Sequence, residues 1–184
     1  TLIAVPLFIF MGVTLEKSKL AEELLTKMSE LLGKYKSGLG LSVIFVGALL
    51  AASTGIVGAT VIAMGLISLP AMLKKGYSHE ISTGLISATG TLGQIIPPSI
   101  ALVILGDVLS SAYQQSQLSQ GIFTAKTVSV GDLFLAAIFP GLILLVSYGI
   151  FFLFKVKNMN VNQNPGNEDS SSLKDLFKVI IPPF

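Results

Sequence analysis

The sequence of 184 residues contains no cysteine, no tryptophan and no arginine, and it has a single histidine, His79. Without cysteine these residues cannot form disulfides, a thiolate nucleophile or a Cys-ligated zinc site. One histidine cannot build a histidine metal cluster, and twelve lysines against ten acids give a net charge of only +2, which lends little support to nucleic-acid binding. Acid pairs, a Ser-His-Asp set and the Gly-rich loops that bind nucleotide phosphates are also missing. The sequence therefore predicts no enzyme activity and no ATP hydrolysis.

Charge of either sign is scarce, since only 12% of the residues are charged while 52% are hydrophobic. Soluble domains carry about 25% charged residues. Several apolar stretches reach the length of about 20 residues that a membrane-spanning helix needs. We therefore predict an all-α polytopic membrane protein. Because the chain starts in apolar sequence and a new apolar run, Val179 to Phe184, stops abruptly, we expect an internal piece of a longer membrane protein.

Apolar lengths and lysine positions divide the chain into seven predicted segments. They are the end of a membrane helix (1–15), an interfacial amphipathic helix (16–37), a re-entrant hairpin (38–73), a broken membrane helix (81–109), an external loop (110–131), a membrane helix (133–154), and a cytoplasmic linker with the start of the next helix (155–184). Lysines flank both ends of the hairpin segment, so the positive-inside rule places both ends in the cytoplasm. A hairpin whose tip stops near mid-membrane fits these flanks, and two complete but slightly short helices remain the alternative.

The predicted hairpin tip runs from Ser53 to Thr60 and reads Ser-Thr-Gly-Ile-Val-Gly-Ala-Thr. Its glycines permit unusual backbone geometry, and its hydroxyls can bond loose backbone groups. Hydroxyls and unwound carbonyls suit a cation such as Na⁺, and amides at the start of the second arm suit an anionic substrate. The alternative is that these small residues only allow close helix packing, as Gly47 and Ala51 would.

The most informative segment is Thr89 to Ser99, where Pro97-Pro98 interrupts an apolar stretch that is long enough to span a membrane. Proline removes a backbone donor and clashes with the preceding turn, so a continuous helix cannot pass. Lipid cannot satisfy the freed carbonyls, which must then face protein or a wet cavity. Broken helices of this kind build ion and substrate sites in transporters, which often use such a unit twice in inverted orientation. The alternative is a proline kink that neighbouring helices satisfy.

Two ionisable side chains near the membrane segments have open interpretations. Asp107 is the only acid inside a predicted membrane helix, and it is either functional or a headgroup-level cap. His79 lies in a polar loop beside Lys75 and Glu80 and is expected to be a surface residue.

Three blocks in order and spacing resemble the large membrane subunit of TRAP (tripartite ATP-independent periplasmic) transporters. They are Pro6-Leu7-Phe8-Ile9-Phe10-Met11-Gly12, Ser53 to Thr60, and Gly93-Gln94-Ile95-Ile96-Pro97-Pro98-Ser99-Ile100, and the likeness extends to Leu69-Pro70-Ala71-Met72 and Gly76-Tyr77. The Ile-Ile-Pro-Pro-Ser block after a Gly-rich hairpin is the specific part. Leu105-Gly106-Asp107 and the long Ser/Gln loop are similar to the subgroup labelled mannitol/chloroaromatic or 2-oxo-acid type.

The resemblance implies half of an inverted-repeat, elevator-type transporter in the bacterial inner membrane. It implies Na⁺-driven import of organic acid anions, such as C4-dicarboxylates or 2-oxo acids, with Na⁺ as the coupling ion and no other cofactor. It also implies two partners, a small four-helix membrane subunit and an extracytoplasmic solute-binding protein. One departure is the tip Ser53-Thr54-Gly55, where many relatives carry a Ser-Gly-Ser-like sequence.

Mapped on this sequence, the resemblance combines the tip and the break into one Na⁺ site beside the substrate. The residues expected at Na⁺ are Ser53, Thr54, Gly55, Thr89, Gly90, Thr91 and Gly93. Those expected at substrate are Gly58, Ala59, Thr60, Gln94, Pro97, Pro98 and Ser99. The competing functions are a receptor-independent Na⁺/carboxylate symporter, an ion channel, and a membrane scaffold without a site.

Overall fold

The computed structural model describes residues 3–32, 35–123, 127–157 and 159, and within these residues every regular element is helical. This confirms the predicted all-α class. The helices are α1 (Ala4–Lys17), α2 (Leu20–Leu31), α3 (Gly38–Thr54), α4 (Val57–Lys74), α5 (His79–Thr91), α6 (Ile100–Ser119) and α7 (Val130–Lys157), with one 3₁₀ turn at Leu92–Gln94.

Helices α3 and α4 form a helical hairpin with only Gly55 and Ile56 between them. Gly55 ends α3 with φ +61°, a left-handed conformation that a residue without Cβ adopts at little cost, and its N–H donates to Ala51 O at 3.0 Å. Ile56 is extended, and α4 starts at the next residue. This helix–turn–helix fits both the predicted re-entrant hairpin and the alternative of two complete helices, so the re-entrant depth stays a prediction.

The second interruption lies between α5 and α6 and covers residues 92–99. Ser78 caps the start of α5, where its hydroxyl accepts from Ile81 N, and Ser99 caps the start of α6, where its hydroxyl accepts from Leu102 N at 3.3 Å. The Pro97–Pro98 peptide bond between them is cis. The predicted break is therefore present. It begins later than predicted, because Thr89, Gly90 and Thr91 still belong to α5.

Helix α3 lies at the centre of the fold and is buried on most of its surface, with α1, α2, α4, α5 and α7 all in contact with it. The main core gathers side chains from these helices; its fully buried members include Val43, Val46, Met64, Met72 and Phe152. A second, smaller core around Ala48, Ala51 and Leu92 joins α3 to the 3₁₀ turn. The break therefore packs directly against the C-terminal half of α3.

Two predicted boundaries near the N-terminus are wrong. The membrane helix does not end at residue 15, since α1 continues to Lys17, and α2 begins at Leu20 after Lys19 turns left-handed with φ +58°. The apolar face of α2, with Leu24 and Leu25, is buried in the main core. An apolar stripe does not distinguish a protein neighbour from lipid, which is why the sequence predicted an interfacial helix there.

The predicted external loop at 110–131 is wrong over its first ten residues, because α6 continues to Ser119. Ser and Gln lowered the hydropathy there, but neither residue type breaks a helix as Gly or Pro does. Gly121, two residues after Ser119, turns left-handed with φ +77°; there Ile122 N donates to Gln117 O and Gly121 N donates to Leu118 O. This is a Schellman ending.

Helix α7 (Val130–Lys157) starts three residues before and ends three residues after the predicted span 133–154. It and α4 are the two described helices that are long and apolar enough to cross a membrane. The predicted linker 155–184 lies outside the described residues apart from the end of α7 and Met159.

A tyrosine ties the lysine-flanked end of the fold together. Tyr77 follows α4, donates its hydroxyl proton to Lys36 O and packs on Phe152 of α7 with ring centroids 5.8 Å apart. Burial raises the pKa of Tyr77 to about 12, against a smaller opposing contribution from the backbone of Gly40. The α2–α3 connection, the α4–α5 connection and α7 are thereby joined at one place.

Candidate functional site

The two helix interruptions meet at a hydrogen bond between Gln94 and Gly55. Gln94 Nε2 donates to Gly55 O at 3.0 Å, although the two residues are 39 positions apart in the chain. Gly55 is also close to the segment after the prolines: a Cβ placed on Gly55 would lie 3.1 Å from Pro98 O and 3.6 Å from Ile100 N. The hairpin tip and the break therefore lie side by side and line one place in the fold with their backbones. That this place is a binding site stays a prediction.

Close backbone packing brings the two segments together. A Cβ placed on Gly93 would lie 2.8 Å from Ala51 O, and one placed on Gly90 would lie 2.3 Å from a methyl carbon of Val61. At Gly93 the neighbour is backbone, so only a residue without a side chain fits, while at Gly90 a larger residue would have to displace the Val61 side chain. Gly93 therefore sets the distance between α3 and the 3₁₀ turn, and Gly90 sets that between α4 and α5.

The hydroxyl groups of the tip have partners inside the hairpin. Ser53 Oγ donates to Leu49 O at 2.8 Å, and Thr54 Oγ1 lies 2.7 Å from Thr60 Oγ1 across the two arms. All three residues are buried. Each hydroxyl oxygen still has acceptor capacity, because a hydroxyl has one proton but two lone pairs.

Two of the predicted Na⁺ residues are placed away from the tip. Thr89 is fully buried beside Gly47, eight residues before Gly55 on α3, and its hydroxyl donates to Leu85 O and Ile86 O. Eight helical residues correspond to about 12 Å. Thr91 is exposed, and its hydroxyl donates to Ala88 O. Both side chains thus bond within α5 instead of turning toward the tip.

The predicted substrate residues divide between two helix starts. Gly58, Ala59 and Thr60 form the first turn of α4, and Gly58 is exposed, with open space where a Cβ would be. Ser99 caps α6 and also donates to Gln94 O at 2.9 Å, while Pro97 and Pro98 are half-buried. The amide-rich start of α6 thus lies beside the tip from which α4 starts.

One polar atom at the site lacks a partner. Gln94 Oε1 is buried and accepts no hydrogen bond from the residues that the structure describes. An unsatisfied buried carbonyl-type oxygen costs free energy unless a donor or cation meets it. The other atom of the same amide, Nε2, bonds Gly55 O beside the carbonyl end of α3. Carbonyl oxygens of this kind are ligands that hard cations prefer.

Three features of this site were missed by the sequence reasoning. Ala51 supplies the carbonyl that Gly93 approaches, Leu92 is fully buried between them, and Gly141 of α7 lets that helix approach Ile96 in the break. Helix α7 was predicted as a plain span. A glycine in the middle of an apolar helix was the available signal, but it does not name the neighbour it admits.

Asp107 is not part of this site. It lies on α6 eight residues after Ser99, about 12 Å along the helix, and is partly exposed. Within the described ranges no group of three or more His, Cys, Asp or Glu could hold a metal ion. The site is therefore made of neutral oxygen and amide groups.

The chain matches the family model described as "Tripartite ATP-independent periplasmic transporter, DctM component" over residues 1–184. Among curated proteins it is 36% identical over 143 residues to the C4-dicarboxylate TRAP transporter large permease protein DctM of Rhodobacter capsulatus, covering 78% of this chain and 32% of that protein. It is 34% identical over 151 residues to the ectoine TRAP transporter large permease protein TeaC of Halomonas elongata, covering 82% and 31%.

A third relative is the isethionate TRAP transporter permease protein DctMQ of Oleidesulfovibrio alaskensis, 32% identical over 142 residues, which cover 77% of this chain and 20% of that protein. The chain thus spans about a third of the length of the first two relatives, and less of the third.

Proposed function

Because the chain belongs to the family of the DctM component of tripartite ATP-independent periplasmic transporters, a family of integral membrane permease subunits and not of enzymes, we propose that it serves Na⁺-driven import of organic acid anions. The observation that carries this proposal is the contact between the two helix interruptions through Gln94 and Gly55. Two interruptions that touch give one place where both helix carbonyl ends and helix amide ends are available.

The Na⁺ ligands we propose lie at the carbonyl end of α3. Gly55 O and Gln94 Oε1 are the first two, and the hydroxyl oxygens of Ser53 and Thr54 have remaining lone pairs on the same turn. Gly93 contributes by its close approach to α3. Na⁺ suits this set because oxygen ligands without a formal charge match a hard monovalent ion. Thr89, Gly90 and Thr91 support the site through helix α5 and are not proposed as ligands.

The substrate would bind at the amide ends. The first turn of α4, with Gly58, Ala59 and Thr60, and the start of α6 after Ser99 both present N–H groups. Helix N-termini favour negative charge, so a carboxylate is the expected group. Two of the relatives are named for anions, C4-dicarboxylate and isethionate. The first carries carboxylates and the second a sulfonate, and helix N-termini favour the negative charge of either group.

The family further supports an assembly and a movement that we propose for the full-length protein. The partners are a small four-helix membrane subunit and an extracytoplasmic solute-binding protein, and the location is the bacterial inner membrane. An elevator-type movement would carry the hairpin and the break together across the membrane, because Gln94, Gly93 and Gly90 hold them as one packed body.

The test is Na⁺-gradient-driven uptake of a panel of labelled organic acids into proteoliposomes that contain the full-length protein, its small partner and its receptor. Gln94→Ala removes both the bond to Gly55 and the proposed ligand oxygen, so we expect the Na⁺ concentration for half-maximal uptake to rise about tenfold. The matched control is Gln114→Ala, since Gln114 also makes one side-chain bond, to Ser110 on α6, away from the tip.

Other results of this experiment would contradict the proposal or indicate a competing function. Uptake that is unchanged when choline replaces Na⁺ would contradict Na⁺ coupling. Uptake that persists without the receptor would indicate a receptor-independent symporter, and conduction far above transporter turnover would indicate a channel. Equal uptake by wild type and Gln94→Ala at every Na⁺ concentration would contradict the role assigned to this site.

A further inference from the structure

A groove beside α5 differs in chemistry from the candidate site. It runs between α5 and the second half of α7, has a volume of about 330 Å³, and is lined mainly by apolar side chains such as Ala88, Phe151 and Phe152. Gly84 lines it as well, and a Cβ placed there would meet no atom within 4 Å. The groove therefore has open space beside Gly84 in which a chain of methylene groups could lie.

The groove has a polar end and an apolar end. Glu80 lies in the first turn of α5 and Lys155 in the last turn of α7, and both line the same mouth. Ala88 lies eight residues after Glu80 on α5, and Tyr148 lies seven residues before Lys155 on α7, so they are about 12 Å and 10 Å from the mouth along their helices. This arrangement places a charged mouth above an apolar channel, in the way that a phospholipid places its headgroup above its acyl chains.

The mouth lies on the lysine-rich side of the fold. Lys74 and Lys75 precede α5, and Lys155 and Lys157 end α7. By the positive-inside rule this side faces the cytoplasm, so the groove would run from the cytoplasmic headgroup layer into the hydrocarbon core. Clefts between membrane helices with a basic residue at this level are typical headgroup sites.

The charges at the mouth are not paired with each other. Both side chains are exposed, and in the described ranges the one ion pair within 4.0 Å joins Lys27 to Glu23. Lys155 Nζ lies 5.9 Å from the centroid of the Phe151 ring, which holds it at the groove. One carboxylate and one ammonium at the same mouth are complementary to a headgroup that carries one ammonium and one phosphate. A purely anionic headgroup would face the Glu80 carboxylate.

We propose that this groove binds phosphatidylethanolamine from the cytoplasmic leaflet, with its phosphate at Lys155, its ammonium at Glu80 and an acyl chain along Gly84 and Ala88. The lipid would fill the space between α5 and α7 and so stabilise the position of the helix that leads into the break. This inference does not rest on Na⁺ coupling or on the identity of the substrate.

The experiment uses the full-length protein, purified from nanodiscs with equal amounts of phosphatidylethanolamine and phosphatidylglycerol, and measures the retained lipids by native mass spectrometry. Wild type should retain phosphatidylethanolamine preferentially. Glu80→Gln removes the partner of the ammonium, and we expect the ratio of the two retained lipids to fall about fivefold. Gly84→Leu fills the groove and should abolish the retained lipid. The matched control is Gly65→Leu, since Gly65 on α4 also has open space at its Cβ and does not line the groove.

Three results would overturn the proposal. Equal retention by wild type and Gly84→Leu would show that the lipid binds elsewhere. Loss in Gly84→Leu with an unchanged lipid ratio in Glu80→Gln would show a tail site without headgroup recognition. No retained lipid in wild type would show that another part of the full-length protein or a partner fills the groove. Glu80→Gln changes an exposed side chain, so its result does not depend on refolding of the core.

Discussion

The replacement of Gly93 by alanine tests whether close backbone packing holds the break against the hairpin. The added Cβ would lie 2.8 Å from Ala51 O, 3.2 Å from its carbonyl carbon and 3.3 Å from its Cα. All three are backbone atoms of a buried helix, so no flexible side chain can move aside. Because Gly93 has no positive φ, alanine is otherwise compatible with its conformation, and the expected effect is steric.

The magnitude follows from two opposing contributions. Inserting a methyl group into a packed interior costs about 1–3 kcal/mol, and the reduced freedom of the unfolded chain returns about 0.4–1 kcal/mol. We therefore expect Gly93→Ala to lower the free energy of unfolding by about 1.3 kcal/mol, which is the difference between the midpoints of the two ranges. The displacement also separates α3 from the 3₁₀ turn, which should lengthen the bond between Gln94 and Gly55 at the proposed Na⁺ site.

The assay is the apparent Tm of the purified full-length protein in detergent, measured with and without Na⁺. Gly93→Ala should have a lower Tm than wild type and a smaller increase in Tm on addition of Na⁺. Gly65→Ala is the control, because this glycine lies inside α4 with open space at its Cβ and should be neutral or stabilising by up to about 1 kcal/mol. A Tm for Gly93→Ala at or above that of wild type would refute the steric reasoning.

Three further predictions concern the rest of the fold. A double-mutant cycle of Thr54→Val and Thr60→Val should give a coupling energy of about 1 kcal/mol in thermal unfolding, since the two hydroxyls lie 2.7 Å apart and buried; additive effects would contradict a direct bond. Tyr77 has a pKa of about 12 in the folded protein against 10.0 in the unfolded chain, so its stabilising contribution is complete below pH 10 and is lost toward pH 12. Tyr77→Phe should therefore reduce the fall of Tm between pH 10 and pH 12, and parallel curves of Tm against pH for the two proteins would contradict this. Gly40→Ala should destabilise by about 1–3 kcal/mol because its Cβ would meet the Phe152 ring, and Phe152→Leu in the same chain should restore part of the Tm; no rescue would place the conflict elsewhere.

The sequence predicted the elements well where a single residue type decides the backbone. Pro97-Pro98 predicted the break, because proline cannot continue a helix. Gly55 was predicted to allow unusual backbone geometry in the tip, and it has φ +61° after the last residue of α3. The prediction failed where we inferred a loop from polar composition alone. The Ser and Gln residues after position 109 are compatible with a helix, which continues until Gly121 ends it.

The candidate site was predicted as two segments but not as a set of contacts. That the tip and the break are both polar could be read from residues 53–60 and 89–99. The sequence did not predict that Gln94 bonds Gly55, or that the hydroxyl of Thr89 bonds within its own helix. A threonine hydroxyl can satisfy itself on the preceding turn or reach a neighbour, and only the neighbour's position decides.

By itself, the sequence determined the all-helical class, the two interruptions and the neutral character of the site. These follow from local chemistry: apolar length, proline and glycine geometry, and the near absence of charge in these segments. The tertiary structure alone decided which backbone atoms face each other, that α2 packs on the hairpin, and that Glu80 and Lys155 share the mouth of one groove. Such contacts depend on how helices distant in sequence approach, and that is set by the joint fit of many side chains and glycines.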